Sequence, residues 1–412
     1  MPRTNDRLWW HVYPLGFAGA PATRDGGPHE PRLRRLLPWL DHARDLGATG
    51  LLLGPVFDSA THGYDTLDHR RIDPRLGTED DLDALLAACD ERGMQLALDG
   101  VFNHVSERHP VVVHAREAGF QGPDAAWLRL EQTPDGPRPR VFEGHASLVE
   151  LDHRNPEVAA FVAGIMSHWL DRGVDAWRLD AAYAVAPELW APILAEVRAR
   201  HPQAWVFGEV IHGDYADVVA RSGMDSVTQY ELWKATWSSI ADRNFFELDW
   251  TLTRHNGFLE SFVPQTFVGN HDVTRLATTL GRDGAVVALA VLMTVGGVPS
   301  VYYGDEMGWT GVKEHRAGGD DAIRPPYPAD PAALTGDARV HEAHRALVAL
   351  RRARPWLTTA RTRTVELTNT RYRYRATATE GGAALEVELD VSGMPRATIL
   401  SDDGAVLWQS PA

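Results

Sequence analysis

The stretch GVDAWRLDAA, residues 173–182, is apolar enough for a buried strand, yet Arg178 and Asp180 arrive together near its end. A buried charge is costly unless paired, and removing one partner of a buried pair costs about 3–5 kcal/mol. Other strand-like runs end the same way. QLALDGVFNH (95–104) carries Asp99, Asn103 and His104, AWVFGEV (204–210) carries Glu209, and PQTFVGNHD (264–272) carries Asn270, His271 and Asp272. Any one of them alone reads as a helix cap, a loop ion pair or a satisfied core histidine. Gathered on four strand ends, they describe a chemistry. Two carboxyl groups flanking a scissile bond suit glycoside hydrolysis, one attacking the anomeric carbon and the other protonating the leaving oxygen. A third carboxylate nearby raises the acid's pKa by like-charge repulsion, which keeps its proton near neutral pH.

Residues so far apart in sequence meet only if the strands that carry them share one end of a sheet. Strand-like and helix-like runs alternate along the chain. RLWWHVYPLGF (7–17), TGLLLGPVF (49–57), QLALDGVFNH, GVDAWRLDAA, AWVFGEV, SVTQYELW (226–233), PQTFVGNHD and VPSVYYGDEMG (298–308) read as strands. Segments of helical period fall between them, such as 33–47, 80–93, 155–173, 187–201 and 285–297, and 338–354 follows the last. Eight such units predict an α/β protein built on a (β/α)8 barrel, whose chemistry sits at the C-terminal strand ends. An open doubly wound sheet is the rival, but no glycine-rich phosphate loop follows the first strand. The rhythm breaks at 105–150, rich in Pro, Gly, His and charge, which reads as an inserted subdomain. The tail alternates at period two, in RTRTVELTN (361–369), RYRYRATAT (371–379) and AALEVELDV (383–391), and reads as a small antiparallel β domain. The expected division is therefore a barrel over 1–104 and 151–356, an insert over 105–150 and a C-terminal domain over 357–412.

Composition narrows the partners. The 412 residues carry a net charge of −15, which disfavours nucleic acid and anionic membrane surfaces and suits a neutral small ligand. Fourteen tryptophans supply flat apolar faces that serve cores and sugar rings alike. Cys89 is the single cysteine, so no intrachain disulfide forms. The opening MPRTNDRLWWHVYPLGF lacks the pattern of a secretory leader, and no run of 18 apolar residues occurs, so the expected compartment is the cytoplasm. Oligomeric state stays open.

Four short motifs, in order, resemble those of the α-amylase superfamily of retaining glycosidases, glycoside hydrolase family 13: LDGVFNH (98–104), DAWRLDAA (175–182), VFGEV (206–210) and FVGNHD (267–272). HGYDTLDHRRIDPRLGTEDDL (62–82) is similar to the family's segment after the second strand. The resemblance implies Asp180 as the nucleophile that forms a covalent glycosyl intermediate and Glu209 as general acid/base. It implies Asp272 as the group that holds sugar hydroxyls and favours the distorted ring, and Arg178 as the residue that keeps Asp180 ionised and oriented. His104 and His271 would bind hydroxyls of the sugar at the cleaved bond, and Tyr64 would stack on it with His62 nearby. The implied substrate is an α-glucoside or malto-oligosaccharide, with a lean towards α-1,4 bonds because Ala181 follows the nucleophile. Other activities of the same superfamily, transglycosylation, sucrose-type chemistry or glucoside isomerisation, share the same first steps. A non-catalytic transporter subunit is the remote alternative, since such relatives tend to lose the carboxylates and carry a membrane span. No extra N-terminal β domain of the neopullulanase kind is expected.

No cofactor is required on this reading. Calcium-dependent relatives carry a Lys-His pair just after the nucleophile, where this chain reads AAYAV (181–185). The loop GAPATRDGGPHE (19–30) holds too few carboxylates for the acidic calcium loop of some α-glucosidases. Asn103 is the one residue left that calcium would touch, and a hydrogen bond between loops is its favoured role. Arg324 is open between meeting the terminal sugar and a loop role. Tyr230, Trp233 and Trp237 are open between lining a leaving-group subsite and core packing.

Overall fold

The computed structural model describes residues 7–23, 30–316 and 318–410. Eight parallel strands form its centre: β1 (Trp9–Val12), β2 (Gly50–Leu53), β3 (Gln95–Gly100), β4 (Ala176–Leu179), β5 (Trp205–Gly208), β6 (Ser226–Val227), β7 (Gln265–Phe267) and β8 (Val298–Tyr302). Their order in the sheet is β6-β5-β4-β3-β2-β1-β8-β7. The two edges meet through a parallel bridge between Thr228 and Gln265 and a hydrogen bond from Gln229 N–H to Gln265 O at 2.8 Å. The sheet is thus a nearly closed barrel, as the repeat of strand and helix predicts.

The helices that clothe it include α1 (Leu40–Leu46), α2 (Glu79–Glu91), α3 (Pro110–Glu117), α4 (Pro156–Asp171), α5 (Pro187–Arg200), α6 (Tyr215–Ser222), α7 (Tyr230–Ala241), α8 (Phe246–Phe258), α9 (Leu276–Thr294) and α10 (Ala338–Arg352). Local signals explain their starts: Asn155 caps α4 with its side chain and Pro156 occupies the first turn, while Asp337 caps α10. Two expectations change. The segment 33–47 is not one helix, because a tighter 3-10 stretch spans Arg32–Trp39, contains Pro38, and hands over to α1. The run 226–233 is a strand only at Ser226–Val227, because the Gln229 side chain accepts from Leu232 N–H and starts α7 at Tyr230.

Helix α9 is, among the described residues, the one long and apolar enough to cross a membrane. Arg282 and Asp283 interrupt its apolar run, and every residue from Gly284 to Thr294 is buried. It packs against α7, α10 and the C-terminal sheet, as a core helix does.

Residues 104–150 hold short antiparallel pairs, His104–Ser106 with Leu148–Glu150 and Leu130–Thr133 with Gly136–Pro139, besides α3. The tail forms a five-stranded antiparallel meander, β9 (Arg361–Leu367), β10 (Arg371–Thr377), β11 (Ala384–Asp390), β12 (Arg396–Ser401) and β13 (Val406–Gln409). Its buried face, including Tyr372, Tyr374, Val387 and Ile399, lies on the barrel's helices, with Tyr374 OH hydrogen-bonded to Thr294 Oγ1 at 2.6 Å.

Strand register positions the site. Inside the barrel, Trp9, Leu52, Ala97, Ala176, Trp205, Phe207 and Val298 form one apolar cluster. Because side chains alternate, the next inward positions are two residues further along each strand. On β4 that is Arg178, on β3 Asp99 and on β1 His11, while on β5 Phe207 stands level with Arg178 and Glu209 follows two residues further on. The register pairs Ala176 with Ala97 and Arg178 with Asp99 directly across the ladder.

Candidate active site

Arg178 is 4% exposed and stands at the centre of the mouth. Its Nη1 donates to both oxygens of Asp99 at 2.7 Å and to Asp180 Oδ1 at 3.3 Å, and its Nη2 lies 2.8 Å from Glu209 Oε1. One guanidinium thus binds three carboxyl groups from three strands. This answers the cost of burying it: the cation is desolvated, and the surrounding carboxylates push its pKa still higher.

Asp180 lies just past β4. The next residue, Ala181, adopts a left-handed backbone with φ 46°, a conformation that costs an L-residue about 1–3 kcal/mol. The turn aims the Ala181 N–H at Glu209 Oε2, 3.0 Å away. Glu209 Oε1 also accepts from Tyr230 OH at 3.0 Å, and Asn270 Nδ2 donates to that same hydroxyl at 3.0 Å. Burial, then the neighbouring Glu209, raise the Asp180 pKa well above the usual carboxylate range, with Arg178 opposing.

Asp272 behaves oppositely. Burial works against its charge, but His271, whose Nε2 is 2.9 Å from Asp272 Oδ2, and Arg324, whose Nη2 donates to Oδ1 at 2.9 Å, hold it well below the usual range. Arg324 also donates from Nε to His271 O at 2.9 Å, pairs with Asp320 at 3.0 Å, and sits 4.4 Å over the Tyr13 ring.

Tyr64 stacks parallel on His271, with centroids 5.5 Å apart, and its hydroxyl reaches both His271 Nε2 and Asp99 Oδ2. His104 Nε2 contacts Tyr64 O at 3.0 Å, and its ring stacks on Phe142 at 4.8 Å. Burial pushes the His104 pKa down to about 4, so it is a neutral hydrogen-bonding group near pH 7. His62 lies at the rim, its Nδ1 accepting from Tyr64 N–H at 3.3 Å.

The structure thus brings Arg178, Asp180, Glu209, Asp272, His271, His104 and Tyr64 into one connected network, with His62 at its edge. Sequence reasoning placed Asp99 among the strand-end residues without giving it a role, passed over Tyr13, and left Tyr230 and Arg324 undecided. Asp99 and Tyr13 were within reach, because period two carries β3 through Ala97 to Asp99 and β1 through Trp9 and His11 to Tyr13. Arg324 had no such signal, as it comes from a loop 52 residues beyond Asp272.

Asn103 Nδ2 is engaged with His104 Nδ1 at 3.1 Å, and the Asn103 backbone carbonyl accepts from Leu151 N–H. Among the described residues no group of three or more His, Cys, Asp or Glu could hold a metal ion. Of the loop 19–30, residues 24–29 lie outside the described residues.

The chain is 30% identical over 334 residues to a cyclomaltodextrinase of Geobacillus thermopakistaniensis, covering 74% of this chain and 56% of that protein. It is 28% identical over 331 residues to an intracellular maltogenic amylase of Bacillus subtilis, again covering 74% and 56%. The match thus spans little more than half the length of these relatives. Among solved structures, a cyclic α-maltosyl-(1→6)-maltose hydrolase from Arthrobacter globiformis, in complex with that sugar, superposes with a TM-score of 0.82 over 98% of both chains at 23% identity, which shows a common fold. The family's sequence model, "Alpha amylase, catalytic domain", matches residues 12–339, and the chain belongs to that family.

Proposed function

We propose that this chain is a retaining α-glycosidase acting on α-1,4-linked malto-oligosaccharides or small α-glucosides. The observation that carries the reading is the single buried guanidinium of Arg178, bonded at once to Asp180 and Glu209 beside an ionised Asp272. Two carboxyl groups sharing one cation favour the close spacing of retaining enzymes, about 5–5.5 Å, over the about 6.5–9.5 Å that inversion needs. The names of the relatives, a cyclomaltodextrinase and a maltogenic amylase, support the substrate class. The intracellular relative supports a cytoplasmic location.

In the reaction, the Asp180 carboxylate attacks the anomeric carbon while Glu209 gives its proton to the leaving glycosidic oxygen. The C–O bond breaks and a glycosyl ester forms on Asp180. A water then loses a proton to Glu209 and attacks the same carbon, releasing Asp180 and a sugar of retained configuration. Arg178 lets the negative charge settle on Asp180 once the leaving oxygen lies beside Glu209. Asp272, His271 and His104 meet sugar hydroxyls, and the Tyr64 ring offers the stacking face. In this reading residues 105–150 supply part of the mouth through Phe142, while 357–412 support the barrel from outside. No step uses a metal.

The test is a panel of maltose, isomaltose, trehalose, sucrose, maltotriose and starch with products resolved, run on the native chain and on Asp180→Ala and Glu209→Gln. Each variant should lose at least about 10⁴-fold in kcat. Near-normal turnover by either overturns the assignment.

A further inference from the structure

A buried histidine that the chemistry above does not use adjoins the site. His11, on β1, is enclosed in the barrel, and the strand register sets it beside Tyr302 on β8 and Leu52 on β2. Its ring meets the His271 ring almost perpendicular, with centroids 5.0 Å apart and planes 86° apart. Tyr64 and Tyr13 instead lie parallel to His271, at 5.5 and 5.9 Å. An N–H···N bond of about 3 Å between two perpendicular imidazoles puts their centroids about 5 Å apart. His11 therefore stands where a hydrogen-bond partner of His271 would.

The unpaired nitrogens agree with that placement. His11 Nε2 and His271 Nδ1 are both buried and have no hydrogen-bond partner among the described residues. The other nitrogen of His271 is committed, since Nε2 serves Asp272 Oδ2 at 2.9 Å and the Tyr64 hydroxyl. Asp272 is held ionised and so only accepts, which requires a hydrogen on His271 Nε2. In neutral His271, Nδ1 is then a bare acceptor that needs a donor. Burial, then the neighbouring His271 and Arg178, press the His11 pKa well below the usual imidazole range, with Asp272 opposing and Arg324 adding to the depression. His11 is thus neutral near pH 7 and has one N–H to offer. A half-turn of its ring exchanges nitrogen and carbon within the same packing, so the pair can close without moving β1.

We infer that His11 is a positioning residue for the reaction, donating a hydrogen bond from its Nε2–H to His271 Nδ1 and so fixing His271 in the Nε2–H form that holds Asp272. Which nitrogen of a histidine carries the hydrogen is set by the bond the other one makes. With that form fixed, His271 presents its N–H to Asp272 and the sugar hydroxyls in every turnover, and Asp272 keeps its charge. The inference rests on the catalytic reading of the main site.

Nitrogen-15 NMR of histidine-labelled native protein tests the pairing directly. At pH 7 His271 Nδ1 should read as an unprotonated acceptor and His11 Nε2 as a protonated donor, with signals assigned by their loss in His11→Gln and His271→Gln. Two variants then test the consequence. His11→Phe keeps a ring and removes the donor, whereas His11→Gln keeps a donor in its side-chain amide. His11→Phe should lose about 10- to 100-fold in kcat/KM on maltotriose, mostly in kcat, and should alter the His271 signals. His11→Gln should stay within about fivefold of the native kcat/KM. A protonated Nδ1 on His271 in the native protein overturns the inference. So does native kcat/KM in His11→Phe, or equal losses in both variants with the His271 signals unchanged. If His11→Phe fails to fold, the native spectrum and His11→Gln decide. The expected spectrum in a protein that cleaves no α-glucan would keep the pairing and overturn the catalytic reading instead.

Discussion

Two groups of side chains inside the same barrel, a lower apolar layer and an upper charged one, are built on opposite principles. The lower one, Trp9, Leu52, Ala97, Ala176, Trp205, Phe207 and Val298, is apolar and holds the Trp9 and Trp205 rings in a stack at 5.9 Å. The upper one holds Asp99, Arg178, Asp180 and Glu209, all buried. The lower layer gains from leaving water, at about 25 cal/mol per Å². The upper layer loses by it, and tolerates the loss because one cation is shared among three acids. The difference shows where this fold places stability and where it places reactivity: the strand interior plugs the barrel, and the strand end collects groups that no core would accept.

That contrast can be broken by experiment. Arg178→Met should have the largest effect, because it removes the shared cation and leaves three acids facing one another. Turnover should fall by about 10³-fold or more, and urea denaturation should show a loss of about 3–5 kcal/mol. A stable, active variant would mean that the upper layer does not depend on its arginine.

Trp205→Ala strikes the lower layer instead. A loss of about 3–5 kcal/mol is expected from the cavity it leaves, with kcat of the folded fraction within about tenfold of the native value. Denaturation and active-site-titrated kinetics measure the two quantities on one sample. A selective loss of kcat at unchanged stability would erase the distinction between the layers.

The third prediction concerns pH and sharpens the comparison. Burial lowers the pKa of His69, His104, His153, His255 and His344 to about 4 and of His109 to about 3. In the unfolded chain these groups titrate near about 6.5. Between the two values the unfolded state binds more protons, so stability is full above about pH 6.5 and declines as pH falls towards about 4. Of the six, only His104 belongs to the site, so acid weakens the scaffold. The urea midpoint should drop over that window equally in the native protein and in Glu209→Gln. A midpoint that holds steady from pH 7 to pH 4.5 would contradict the burial of these imidazoles.

Much of this was legible because strands and motifs are local. Period-two alternation and the bunching of Asp, Arg, Glu and His at strand ends marked the barrel and its mouth, and the eight strands lie where the pattern put them. The failures share a cause. Tyr230 reads as strand because SVTQYELW is rich in β-formers, but the Gln229 cap and burial of Leu232, Ala235 and Thr236 turn it into the start of α7. Such packing overrides propensity and has no signature within the segment.

By its own residue order, the chain determined how many strands there are, which face of each looks inward, and which acids sit at their ends, since alternation along a strand follows from backbone geometry alone. Only the folded structure decided that Arg178 would share itself among Asp99, Asp180 and Glu209, that Arg324 would clasp Asp272, and that His11 would stand perpendicular to His271. Those are contacts between segments far apart in sequence, and closure of the barrel is what brings them within hydrogen-bonding distance.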